Sequence, residues 1–346
     1  MRNSFSWLVL FLMVLGAGCA AAPTPAPPTA TVAPTAIPMA TNANRPTSVP
    51  ATPGPTPTLH PALLNATLPR LAARQYLGSD ITSVRVLTTT AKYTESLVTY
   101  MSDDVRVSGV LDEPVGQGPF PAVVLAHGYY DPAQYQSGAA TQRVARLFAE
   151  NGFVAFAPDF RGYGNSQHGS NLYMSGYIID VLNAGASLQK RANVEPNKIG
   201  LWGHSMGGGI AARVMVVSDL FRAVVLLAPI SSDNNELVMD PLGGETTGVD
   251  TDLAVSILQS VNDEDLLNAL SPKNYYAQVT APVSIHTGTA DDVAPTAWAK
   301  AIRDGLKQAG KSVEYYEYPG QGHVITGDLQ KVLDERVLNF LTRNLK

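Results

Sequence analysis

Three residues far apart in the chain have types and settings suited to one chemistry. Ser205 lies in Gly203-His204-Ser205-Met206-Gly207, after an apolar strand-like run and before a helical one. A serine at the tip of a sharp strand-to-helix turn is lifted clear of the sheet and can act as a nucleophile. Small neighbours are needed in so tight a turn, which accounts for Gly203 and Gly207. The following helix points backbone N–H groups at the place where negative charge would develop.

A serine hydroxyl needs a base to take its proton, and the base needs a carboxylate to orient it. Two histidines follow Ser205 in the chain, His286 and His323. His286 falls inside an apolar strand-like run and reads as a packing residue. His323 falls in the loop Pro319-Gly-Gln-Gly-His323, after the last strand-like run, where a base would be presented. For the carboxylate, Asp291 lies three residues past Gly288, at the end of another such run. Its neighbour Asp292 reads as solvent-facing or helix-capping. The order is then Ser205, Asp291, His323.

An oxyanion needs two N–H donors. Met206, directly after the serine, supplies one. The loop His127-Gly128-Tyr129-Tyr130 supplies the other, from Tyr129 or from its neighbours Gly128 and Tyr130. Asp159 and Arg161, in a turn-rich loop, are expected to brace the nucleophile region. His204 adjoins the serine but points the wrong way to be its base. The six histidines are scattered, with no metal-ligand spacing, so neither a metal nor another cofactor is expected.

These groups need a scaffold that brings distant loops to one edge. Buried strand-like runs at 121–127, 154–159, 199–202, 223–228, 283–286 and 313–318 alternate with helical stretches at 142–151, 173–191, 210–217, 296–308 and 329–345. That alternation implies an α/β fold, with a mostly parallel sheet and helices on both faces. Residues 97–112 alternate as a hairpin near one edge. Residues 231–276 interrupt the rhythm, with helical periodicity at 253–270, and read as a short helical cap.

The N-terminal part is different. Arg2 and the apolar run 7–15 make residues 1–18 a signal peptide, too short for a comfortable membrane span. Ala17-Gly18-Cys19 resembles a bacterial lipoprotein signal, with Cys19 as the lipid-attachment site; Gly16 departs from that pattern. Cys19 is the chain's one cysteine, so no internal disulfide forms. Thirteen of the 25 prolines lie between residues 20 and 69, where Arg45 is the only Asp, Glu, Lys or Arg. Residues 19–70 therefore read as a disordered, semi-stiff tether, and 71–346 as the catalytic domain. An exported protein, anchored by lipid at a bacterial surface or otherwise secreted, is the expectation. The net charge of −5, with no basic cluster, argues against a nucleic-acid partner.

The body resembles the prolyl oligopeptidase-like and dienelactone hydrolase-like group of the α/β-hydrolase superfamily. The segments that carry the resemblance are Val-Val-Leu-Ala-His127-Gly128, Ala157-Pro-Asp159-Phe-Arg161-Gly-Tyr-Gly164, Gly203-His-Ser205-Met-Gly-Gly208, Ser271-Pro272-Lys-Asn-Tyr275, Gly288-Thr-Ala-Asp291 and Gly322-His323. The Gly-rich run after Ser205 also looks like that of polyester-degrading cutinases, though the cap and the tyrosine loop differ. The resemblance implies an α/β-hydrolase fold and a serine hydrolase. The stretch before Pro121 is too short for the propeller of the oligopeptidases, which favours small carboxylic esters over short peptides as substrates. A surface-binding protein on a hydrolase scaffold is a further reading, but it would ordinarily lack one of the three residues.

Overall fold

The computed structural model describes residues 59–237 and 251–346. The expected signal peptide, Cys19 and most of the expected tether lie outside the described residues.

Two short helices open the described chain, α1 (Pro61–Asn65) and α2 (Leu68–Ala72). Strands β1 (Thr82–Thr89), β2 (Tyr93–Ser102), β3 (Val105–Pro114) and β4 (Phe120–Ala126) follow, then α3 (Gln142–Glu150) and β5 (Val154–Pro158). Next come α4 (Ser175–Gln189), β6 (Val194–His204), α5 (Met206–Val217) and β7 (Ala223–Leu227). Helices α6 (Thr251–Ser260) and α7 (Glu264–Leu270) lead through a 3₁₀ turn at Pro272–Gln278 to β8 (Val283–Gly288). The chain closes with α8 (Thr296–Gln308), β9 (Val313–Tyr318) and α9 (Asp328–Leu345).

Among the described residues the strands form one sheet in the order β1-β2-β3-β5-β4-β6-β7-β8-β9. From β5 to β9 every pairing is parallel; β1, β2 and β3 add antiparallel strands at one side. The central parallel strands β4, β5 and β7 are apolar throughout because helices cover both faces. Their side chains divide by the two-residue period. Ala122, Val124 and Ala126 of β4 belong to the core on the face covered by α4, α5 and α8, whereas Val123 and Leu125 belong to the core on the face covered by α3 and α9.

The hairpin expected near one edge at 97–112 is β2 and β3, with β1 as the outermost strand beside it. One expectation needs correction. The tether does not reach residue 70. Leu63, Leu68 and Leu71 of α1 and α2 are buried. Leu63 packs with Ile257, Leu266 and Leu270 of α6 and α7, and the His60 N–H donates to Ser256 Oγ at 2.8 Å. Pro61 and Pro69 sit in the first turns of their helices, where proline's missing N–H costs nothing. The folded body therefore includes residues 59–70, and they support the cap.

Candidate active site

Strand β6 runs directly into Ser205, which joins it to α5. Ser205 has φ 59° and ψ −120°, a conformation that a non-glycine residue adopts only at a cost in strain. The turn is held by Ser205 N–H to Leu227 O at 2.9 Å and Gly209 N–H to Ser205 O at 3.1 Å. No side chain fits beside it. A Cβ at Gly203 would stand 2.2 Å from the Gly207 carbonyl oxygen, and one at Gly207 would stand 2.0 Å from that of Ala126.

The structure brings the three sequence-selected side chains together. Ser205 Oγ is 2.8 Å from His323 Nε2. His323 Nδ1 is 2.9 Å from Asp291 Oδ2 and 3.1 Å from Oδ1. Asp291 is itself fixed, because its Oδ1 accepts from the N–H groups of Val293 at 2.9 Å and Ala294 at 2.8 Å. Its carboxylate is closed off from solvent, while the His323 side chain is 18% exposed. A base with one nitrogen on a buried carboxylate and the other on a hydroxyl can take that hydroxyl's proton and stay oriented as a cation. Asp292 points into solvent.

His286 lies in the core. Its Nδ1 is 2.9 Å from Tyr318 Oη and its Nε2 2.9 Å from Ser284 Oγ, and its ring stacks on Tyr316. Burial lowers its pKa to about 3, so it is neutral.

The two residues expected to supply oxyanion donors flank the serine. Met206 opens α5, so its N–H has no carbonyl to bond within the helix. Tyr129 lies in the loop after β4 and lines the same cavity as Ser205. The residue is 70% exposed. Gly128 next to it comes so close that a Cβ there would meet Ser205 Cβ at 3.2 Å. The His127 ring supports this loop from beneath. It is stacked between Tyr135 and Phe160, with ring nitrogens 2.7 Å from the Gly128 carbonyl and 2.9 Å from that of Asp159.

Asp159 and Arg161 brace the loops around the oxyanion side rather than the nucleophile turn itself. The Asp159 carboxylate accepts from Ser108, Ser137 and Tyr135 hydroxyls. Arg161 pairs with Asp180 of α4, both buried, at 2.8 Å. One feature escaped the sequence: His204 Nε2 lies 3.0 Å from the His323 carbonyl. Among the described residues no cluster of three or more His, Cys, Asp or Glu is placed to hold a metal ion.

Residues 139–346 match the prolyl oligopeptidase family. Curated relatives include the quorum-quenching protein AidA of Acinetobacter baumannii (26% identical, covering 42% of this chain and 47% of that one). Another is the uncharacterized peptidase YuxL of Bacillus subtilis (25% identical, 64% of this chain and 34% of that one). The match thus spans less than half the length of either relative. Among solved structures, acetyl xylan esterase 1 from Thermoanaerobacterium is similar in fold, with a TM-score of 0.61 at 16% identity over 82% of this chain and 94% of that one. The acylaminoacyl peptidase of Pyrococcus horikoshii has a TM-score of 0.59 at 21% identity, over 75% of this chain and 43% of that one. The chain has the α/β-hydrolase fold, and it belongs to the prolyl oligopeptidase family.

Proposed function

We propose that the protein hydrolyses carboxylic esters through an acyl-enzyme on Ser205. The observation that carries the reading is the continuous hydrogen-bonded chain from Ser205 Oγ through His323 to Asp291. Ser205 Oγ attacks the ester carbonyl as His323 Nε2 takes its proton. Asp291 holds the imidazole and offsets its positive charge. The Met206 and Tyr129 N–H groups receive the oxyanion. His323 then gives the proton to the departing alkoxide. Water, deprotonated by the same histidine, releases the acid and restores Ser205.

The choice of ester over amide is supported by the fold match along nearly the full length of an acetyl xylan esterase. A second reading, cleavage of short peptides, is favoured by the family match and the similarity to an uncharacterized peptidase. Rates on p-nitrophenyl esters against aminoacyl-naphthylamides separate the two. Ester turnover that is abolished in Ser205→Ala, and lowered by about 10⁴ in Asp291→Asn, is the expected result. Faster cleavage of the amides, or full ester turnover in Ser205→Ala, contradicts it.

The proposal extends to location. Export with lipid attachment at Cys19 rests on the apolar run ahead of Ala17-Gly18-Cys19. Metabolic labelling with a fatty acid that is lost in Cys19→Ser tests it.

A further inference from the structure

A cavity of about 370 Å³ opens beside the serine, on the α3 and α9 face of the sheet. Trp202 and Leu227 form its floor. Val144 and Leu147 of α3 make one wall, and Leu333 and Val337 of α9 the other. Ser205, His323 and Gly128 line it too, so the reacting atoms and the cavity are continuous. Trp202 lies three residues before Ser205 on β6, about 10 Å back at strand rise. The cavity therefore extends from the nucleophile down toward the middle of the sheet.

Its charged groups are spoken for. Arg143 Nη1 and Nη2 donate to Asp334 Oδ2 and Oδ1 at 2.7 and 2.9 Å, joining α3 to α9 across the cavity wall. Gln330 also donates to Asp334. A substrate's ammonium or carboxylate would have to break that two-pronged bond to find a partner here. An alkyl chain would meet mostly apolar side chains and would disturb nothing.

We propose that this cavity is the acyl pocket and that it takes an unbranched aliphatic acyl chain. The assignment rests on the ester-hydrolase reading and adds the substrate class to it. The acyl half is the one that fits, because it stays bonded to Ser205 Oγ through both steps. The alcohol must leave before water can reach the carbonyl beside His323. A slot between a sheet and two helices suits the half that stays.

The test uses two ester series on the full chain. One varies the acyl group of p-nitrophenyl esters from acetate to octanoate; the other varies the alcohol of acetate esters. Each is run on the natural sequence and on Ala140→Trp and Leu147→Trp. Both positions line the cavity and are only half-buried, so the new rings fill the cavity rather than the core. In the natural protein, kcat/KM rises roughly two- to fourfold per added acyl CH₂ until the cavity is full. Either tryptophan lowers the octanoate-to-acetate ratio of kcat/KM at least about tenfold. An unchanged urea-unfolding midpoint reports an intact fold. If the acyl series is flat, or the tryptophans affect only the alcohol series, the acyl assignment is overturned while ester hydrolysis stands. If no ester of either series is cleaved by the natural protein, the underlying ester reading fails instead.

Discussion

The His204 ring donates from Nε2 to the main-chain carbonyl of His323, 3.0 Å away, and the two rings lie 4.9 Å apart. The residue just before the nucleophile thus clamps the loop that carries the proposed base. Burial lowers the His204 pKa to about 4, so the ring is neutral at ordinary pH and puts no positive charge beside His323.

Loss of that clamp should act on rate rather than on binding. His204→Ala is expected to lower kcat on p-nitrophenyl acetate about 10- to 100-fold, as a misplaced base does, with KM changed by less than about threefold. His204→Gln, which keeps a donor, should recover part of the loss. Steady-state kinetics check this; an unchanged kcat in the alanine variant removes the positioning role.

The Arg161–Asp180 pair ties the loop after β5 to α4. Asp180 receives Arg161 Nε, Nη2 and main-chain N–H together. Asp180→Ala would leave a guanidinium that is 6% exposed without its counter-charge. Urea unfolding is expected to register a loss of about 3–5 kcal/mol. A loss under about 1 kcal/mol would mean that the loop is held by other contacts.

Asp112 sets a pH dependence of stability that is separate from catalysis. It sits opposite Glu95 on β2, which is bonded to Arg146 of α3. Burial, then the Glu95 charge, pushes the Asp112 carboxyl up from 3.8 to about 8. Between those values the folded state holds a proton that the unfolded chain has released. Stability is therefore lost as pH rises through that window. Asp112→Asn has no such proton to hold and should flatten the trend, gaining on the order of 1–3 kcal/mol over the natural protein at pH 8 relative to pH 4. Urea melts at the two pH values decide it; an equal difference at both would contradict the assignment.

What the sequence displayed and what it hid have physical causes. The nucleophile turn was legible because glycines, a strand and a helix must meet there in a fixed order. Asp291 was separable from Asp292 because it lies nearer the strand end, and the structure points one to His323 and the other into solvent. Strand β1 escaped notice because nearly all its residues are exposed, leaving no burial alternation to read. Helices α1 and α2 were masked by a proline-rich composition, although their own prolines fall where helices accept them. The His204 clamp spans 119 residues of chain. The Arg143–Asp334 bond spans 191. Neither leaves a local pattern, so both emerge only when the loops and helices are packed.

Activation of Ser205 by His323 is open to a fluorophosphonate probe, which bonds only to a serine whose proton a neighbouring base removes. After treatment and proteolysis, mass spectrometry should find the phosphonyl adduct on the peptide holding Ser205, and His323→Ala should label far more slowly. No adduct on native protein, or an adduct on a different serine, would mean that Ser205 is not the nucleophile.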